Sequence, residues 1–198
     1  LAGVYVQNTN EASGRNDIRG NLIGVNAAAT GVIGQDADGN GSHGDGILLS
    51  NGDGIDIYNN VIGGNRDGLR FEAGSQNSDV RANSIGTSTD GTANFGNSGD
   101  AIHIVDGTGN FIGGHGADTS TLTNRTFNSG RDGVRIEAAV AGSNPIQSHL
   151  AWNNGGLGIN LVGAVASMFL RNAAALLMLG PMDHLGGAVF GLLRGILF

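Results

Sequence analysis

Asp36, Asp38 and Asn40, followed by Gly41 in "DADGNG", set oxygen-bearing side chains at alternate positions ahead of a glycine turn. This is the opening of a D-x-D-x-N-G calcium loop, whose alternate oxygens converge on one Ca²⁺ ion. The twelfth position of such a loop is Ile47, which rules out a complete EF-hand. Asp45 could replace the missing carboxylate only by an unusual path. A second group is Asp53 and Asp56 in "NGDGIDIY", the nearest local pair of carboxylates, of the sort that general acid and base work at a glycosidic bond requires. Strand alternation points Asp56 and Tyr58 outward and Ile55 and Ile57 inward, and spacing alone identifies no third carboxylate. The third group is Asp45, Asp67, Asp100 and Asp132, each just ahead of an alternating apolar run, with Arg70 and Arg135 outward on those runs. Together these Asp would form an acidic column. The plainer reading, which we prefer for a position that recurs, is that each caps the turn before a strand with its side chain.

The elements that carry these residues repeat. "GDGILL" (44–49), "RDGLRF" (66–71), "GDAIHI" (99–104), "RDGVRI" (131–136) and "GGLGIN" (155–160) form one series, with "LAGVYV" (1–6) as a degenerate start. "GNLIG" (20–24), "NNVIG" (59–63), "ANSIG" (82–86) and "GNFIG" (109–113) form a second series. The first series steps through residues 46, 68, 101, 133 and 156, and the second through 60, 83 and 110. A unit of about 22 residues with insertions accounts for both, and a period of that size marks a solenoid. Runs such as Ile102-His103-Ile104 and Val134-Arg135-Ile136 alternate apolar with polar, the period of a strand with one buried face. They are too short for helices and are bounded by Gly, Asn and Asp. No such strand buries its apolar face alone. Stacked coils do, with Ile upon Ile, each rising roughly 4.8 Å. Gly and Asn suit the corners, where positive φ is needed, and stacked Asn can ladder through their amides.

"NSIGTSTDGTANFGNSGDAIHI" (83–104), "NFIGG" (110–114) and "NNVIGG" (59–64) resemble the repeats of right-handed parallel β-helix proteins of bacteria. These belong to the pectate-lyase-like superfamily in its broad sense, and the likeness is to large secreted or surface members with N-x-I-G-T, G-N and G-x-x-I repeats. The resemblance covers about residues 1–160. It implies an all-β, right-handed parallel β-helix of about six coils and an extracellular or cell-surface, bacterial location. Polysaccharide lyases of that superfamily hold Ca²⁺ on clustered Asp or Glu and use Arg or Lys as base, chemistry that neutralises a uronate carboxylate before proton abstraction. By that resemblance Asp67, Asp100 and Arg70 become catalytic candidates beside Asp53 and Asp56, and glycoside hydrolysis is a related possibility. In the resembling repeats, "DADGNG" corresponds to a hydrophilic T-D-x-x-G-T turn.

Composition bounds the remaining options. Gly is 37 of 198 residues, far above the usual share of about 7%, without the period or the Pro content of collagen. The formal charge is −7 with ten basic residues, all Arg, a surface that repels nucleic acid phosphates. Cys is absent, which excludes disulfides and thiolate metal sites. The five His, at 43, 103, 115, 149 and 184, have no paired ligand spacing and predict no zinc site. His103 is expected on a solvated strand face. No nucleophile elbow, P-loop or dinucleotide fingerprint occurs, and "NRT" (124–126) fits a glycosylation acceptor to which bacterial-looking text gives little weight. The start at Leu1 predicts a fragment or a processed product.

Near residue 160 the text changes. Only Asp183 among the acidic residues, and only Arg171 and Arg194 among the Arg, lie beyond it. Residues 161–198 read as an apolar, helix-prone tail. Three readings remain open: a cap packed on the last coil, a membrane-associating hairpin in which Gly187, Gly191 and Gly195 recur every four residues, or non-native text from a shifted frame. We prefer the helical cap. The expected role of residues 1–160 is a structural and binding module that contacts polysaccharide or a cell-surface glycan through outward polar faces. The alternative is a lyase or hydrolase fragment that uses acidic residues of one face with Ca²⁺.

Overall fold

The computed structural model describes residues 2–10, 12, 14–33, 44–113, 122–137 and 143–162. The "DADGNG" stretch with Asp36, Asp38 and Asn40, and the tail from Gly163 onward, lie outside the described residues. Those described are all-β, with essentially no helix, and no helix among them is long and apolar enough to cross a membrane.

The strands fall into three sheets, here A, B and C. β1 (Val4–Gln7), β2 (Asn16–Arg19) and β3 (Leu22–Ile23) enter A, B and C in turn. β4 (Ile47–Ser50), β5 (Ile55–Tyr58) and β6 (Val61–Ile62) follow the same order, as do β7 (Leu69–Glu72), β8 (Asp79–Arg81) and β9 (Ser84–Ile85). β10 (Ile102–Ile104), β11 (Phe111–Ile112) and β12 (Asn124–Phe127) repeat it again. β13 (Val134–Ile136) returns to A, and Ile146 bridges to Ile112 where a sheet B strand would lie. β14 (His149–Trp152) then joins C and β15 (Ile159–Leu161) closes A. Every strand pair is parallel. Parallel strands visited in a fixed cyclic order make a β-helix-like solenoid.

Register explains why the alternation works. Ile47, Leu69, Ile102, Val134 and Ile159 stand in one row of sheet A, and Leu49, Phe71, Ile104 and Ile136 in the next inward row. All but Ile159 are fully buried. Ile55, Ile57 and Val80 do the same in sheet B, and Ile62 and Ile85 in sheet C. Each such side chain removed from water is worth about 1.5–3 kcal/mol. The outward positions of sheet A are Leu48, Arg70, His103, Arg135 and Asn160.

Corners are held by side-chain ladders. Asn60 and Asn83 each accept a backbone N–H from the preceding coil and donate their amide to the Asn above: Asn21 to Asn60, Asn60 to Asn83, and Asn83 to Asn124. A second ladder runs Ser78, Asn110, Asn144, and a third Asn65, Asn97. Asn59 turns its corner at φ 56° and Gly64 at φ 70°, as the composition of these corners leads one to expect.

Two alignments read from the sequence shift. Asn110 belongs to the ladder that enters sheet B, so "GNFIG" is not the next member after "ANSIG"; Asn124 is, 41 residues on from Asn83. The cause is the sharing of one corner solution by two different corners. In sheet A, Val134 pairs with Ile159, so Gly158 rather than Gly156 continues the glycine row. Uneven spacing also has a local cause, since antiparallel bridges Val25–Val32 and Thr87–Asn94 close small insertions.

Candidate functional site

The Asp column exists, and its first use is structural. Oδ1 of Asp45 accepts the backbone N–H of Asp67 at 3.3 Å, Asp67 that of Asp100 at 2.9 Å, and Asp100 that of Asp132 at 2.8 Å. Asp132 Oδ1 accepts the N–H of Leu157 at 2.7 Å. All four Asp are buried. Each therefore caps the next coil rather than its own turn, a small change from the sequence expectation.

The second carboxylate oxygens differ from coil to coil. Asp45 Oδ2 takes Arg66 Nη2 at 2.7 Å, and Asp132 Oδ2 takes Asn160 Nδ2 at 2.7 Å. Asp67 Oδ2 lies 3.2 Å from Arg70 Nη1 and 3.4 Å from His103 Nδ1. Asp100 Oδ2 is buried and accepts no hydrogen bond; its nearest ionic neighbour is His103 Nδ1 at 3.6 Å. On its other side His103 Nε2 meets Glu137 Oε1 at 3.2 Å, and Arg135 Nε holds the same oxygen at 3.0 Å. Arg70 also pairs through Nε with Glu72 Oε2 at 3.1 Å.

The protonation tendencies follow from these contacts. Burial opposes charge on Asp67, yet the His103 hydrogen bond, the Asp100 N–H and the charges of His103 and Arg66 hold its carboxyl below the usual range. Burial pushes the Asp100 carboxyl up, and the charges of Asp67 and Asp132 add to this against the Asp132 N–H. Burial disfavours the His103 imidazolium, but Asp67, Glu137 and Asp100 outweigh it and raise its pKa.

Beside the cluster lies a cavity of about 330 Å³ lined by Arg66, Asp67, Arg70, Ser98, Gly99, His103 and Arg131. Arg66 and Arg70 have carboxylate partners. Arg131 is exposed and makes no side-chain ion pair among the described residues. Among the described residues the cavity therefore combines a guanidinium without an ion-pair partner with a carboxylate and an imidazole.

Of the residues singled out in the sequence, Asp67, Asp100 and Arg70 come together here. Asp53 and Asp56 do not join them. Asp53 Oδ1 accepts from Asn77 in an exposed turn. Asp56 lies outward on sheet B in a row with Asp17 and Asp79, held by Arg15 and Arg81, while Arg81 also stacks 4.4 Å over the Tyr58 ring. Asp90, in the "TDGT" turn (89–92), accepts from Ser88 and Thr92, which lower its carboxyl to about 2. Asn124 of "NRT" is fully buried in its ladder, so the folded chain offers no glycosylation acceptor there. His103 is the member of this cluster that His spacing missed. Its signal was the Asp–x–x–His step in "GDAIHI", which aims an outward imidazole back at the Asp column.

His149 stands apart, with Nε2 2.9 Å from Thr126 Oγ1 and Nδ1 buried without a partner. Desolvation lowers its pKa from 6.5 to about 4. A base whose folded pKa is depressed favours the fold while neutral. Its contribution is therefore complete above pH 6.5 and is lost as pH falls towards 4. Chemical denaturation should show a stability decline across that window on the order of 3 kcal/mol. His149→Gln should flatten it, and an unchanged slope would contradict this assignment.

Comparison with known protein families, curated proteins and solved structures finds no match to this chain. Fold and site geometry therefore define its class, a parallel-strand solenoid with a polar cavity on one sheet.

Proposed function

We propose that residues 1–160 are a right-handed parallel β-helix of about six coils, part of a secreted or cell-surface bacterial protein, which binds acidic polysaccharide at the sheet A cavity. Right-handedness is supported by the near-universal hand of parallel strand crossovers. The observation that carries the binding reading is the uncommitted Arg131 at the rim of a 330 Å³ polar cavity. That volume is at the small end of ligand pockets and suits a single sugar residue. A guanidinium pairs with a carboxylate or sulfate through two parallel hydrogen bonds, while Asp67 and His103 supply partners for hydroxyls.

A glycan array tests this with and without Ca²⁺. Uronate- or sulfate-bearing oligosaccharides should be retained, and Arg131→Gln should weaken retention by about tenfold or more, the loss expected for one charged contact. Equal retention of neutral and acidic glycans would contradict the proposal.

The alternative is a polysaccharide lyase or glycoside hydrolase fragment that uses acidic residues with Ca²⁺, and it draws support from the approach of Asp67, Asp100 and Arg70. Against it, the Oδ1 atoms of both Asp are committed to backbone N–H groups, and Ca²⁺ wants six to eight oxygens. Cleavage of a uronate polymer that is abolished in Asp67→Asn would favour it.

A further inference from the structure

We infer that Asp67 Oδ2, Asp100 Oδ2 and His103 Nδ1 form a binding site for a divalent transition metal of the Zn²⁺ type. The inference does not rest on the glycan reading, although the two share Asp67 and His103. The three residues offer one ligand atom each, all within 4.8 Å of one another.

Four observations carry it. The first is the odd member of the column. Asp45, Asp67 and Asp132 each give their second oxygen to a side-chain donor. Asp100, with 1% of its surface exposed, does not. A buried carboxylate oxygen without a donor is costly, and a cation removes that cost.

The second is distance. His103 Nδ1 lies 3.4 Å from Asp67 Oδ2 and 3.6 Å from Asp100 Oδ2. Ligands about 2.0–2.2 Å from a tetrahedral ion are about 3.4 Å apart. Both separations from His103 already have nearly that value before any ion is considered, and all three ligand atoms lie within 4.8 Å of one another.

The third is support from outside the ligand set. A histidine that ligates through one ring nitrogen usually gives the other to a carboxylate, which fixes the ring. Glu137 Oε1 lies 3.2 Å from His103 Nε2 and is itself steadied by Arg135. The two Asp are oriented likewise, through Oδ1 on the backbone N–H of the next coil.

The fourth is Arg70. Its Nη1 is 3.1 Å from His103 Nδ1 and 3.2 Å from Asp67 Oδ2, so a guanidinium supplies positive charge at two of the three ligand atoms. Its Nε bond to Glu72 is a second anchor, and metal binding requires the guanidinium to leave the Asp67 and His103 atoms to the ion. The donor set of one imidazole and two carboxylates suits Zn²⁺ or Co²⁺ better than Ca²⁺.

Calorimetric titration of the chain with ZnCl₂, and with CoCl₂ followed by visible absorption, tests the site. One saturable equivalent is expected, together with the intense visible bands of four-coordinate Co²⁺. Asp100→Asn keeps the Oδ1 acceptor for Asp132, and thermal melting should show it folded with metal affinity down at least tenfold. His103→Gln should lose affinity to the same degree. Arg70→Ala, which removes the competing cation, should bind more tightly by severalfold. Absence of saturable binding, affinity unchanged in both Asp100→Asn and His103→Gln, or a Ca²⁺ affinity equal to that for Zn²⁺ would overturn the inference.

Discussion

Asn83→Ala is expected to cost about 3–5 kcal/mol, a large loss for a side chain outside the apolar core. Asn83 Oδ1 accepts from the N–H of Asn60 at 3.1 Å and from its amide at 3.0 Å. Its own amide donates to the carbonyls of Ile57 and Arg81 and to Asn124 Oδ1. The residue is 1% exposed, so water cannot replace those partners. Alanine would leave the Asn60 N–H unpaired between two coils and a cavity where the amide lay. The control is Asn153→Ala. Asn153 donates to Asn128 Oδ1 in an exposed corner at φ 52°, and its loss should stay within about 2 kcal/mol, the left-handed backbone included, because water takes over the bond. Urea denaturation of both variants measures the difference, and equal losses would show that the ladders are ornament rather than support.

Gly86→Ala should be comparably severe, and Gly74→Ala is its control. Both glycines have nearly the same backbone, φ 76° and φ 79°. A Cβ on Gly86 would sit 1.8 Å from the carbonyl oxygen of Phe127, whereas one on Gly74 would meet nothing within 4 Å. The left-handed backbone alone costs an alanine roughly 1–2 kcal/mol, and Ala73 and Ala82 show that this chain accepts it, at φ 54° in each case. Gly74→Ala should therefore cost about that amount. Gly86→Ala must also part sheet C from the coil above, and a loss of at least about 3 kcal/mol, or failure to fold, is expected. If both variants were equally stable, coil contact at Gly86 would be looser than the structure describes.

The two variants point to what was legible in the sequence. Alternation in "IHI" and "VRI" and the glycine steps revealed parallel stacking because a solenoid writes each coil into a local repeat. The finer alignment was hidden, since Asn60 and Asn110 solve different corners with the same residue. Asp67, Asp100 and Arg70 were visible as candidates because they recur. His103 was not, because its partners Asp67 and Glu137 come from other coils, 36 and 34 residues away. No spacing rule within one coil reports a contact between coils. The structural role of the Asp column was anticipated in kind, although each cap reaches one coil further than a turn cap would.

The proposed function rests on a division of labour in that column, in which Oδ1 atoms hold coils together and the outer face would take a ligand. Arg131 tests this most directly, since it touches the cavity but carries none of the stacking bonds through its side chain. Titration of a uronate oligosaccharide into the wild-type chain should give saturable, salt-sensitive binding. In Arg131→Gln that binding should weaken by about tenfold or more with the melting temperature unchanged. Identical affinity in the two proteins, or no binding to either, would contradict the account.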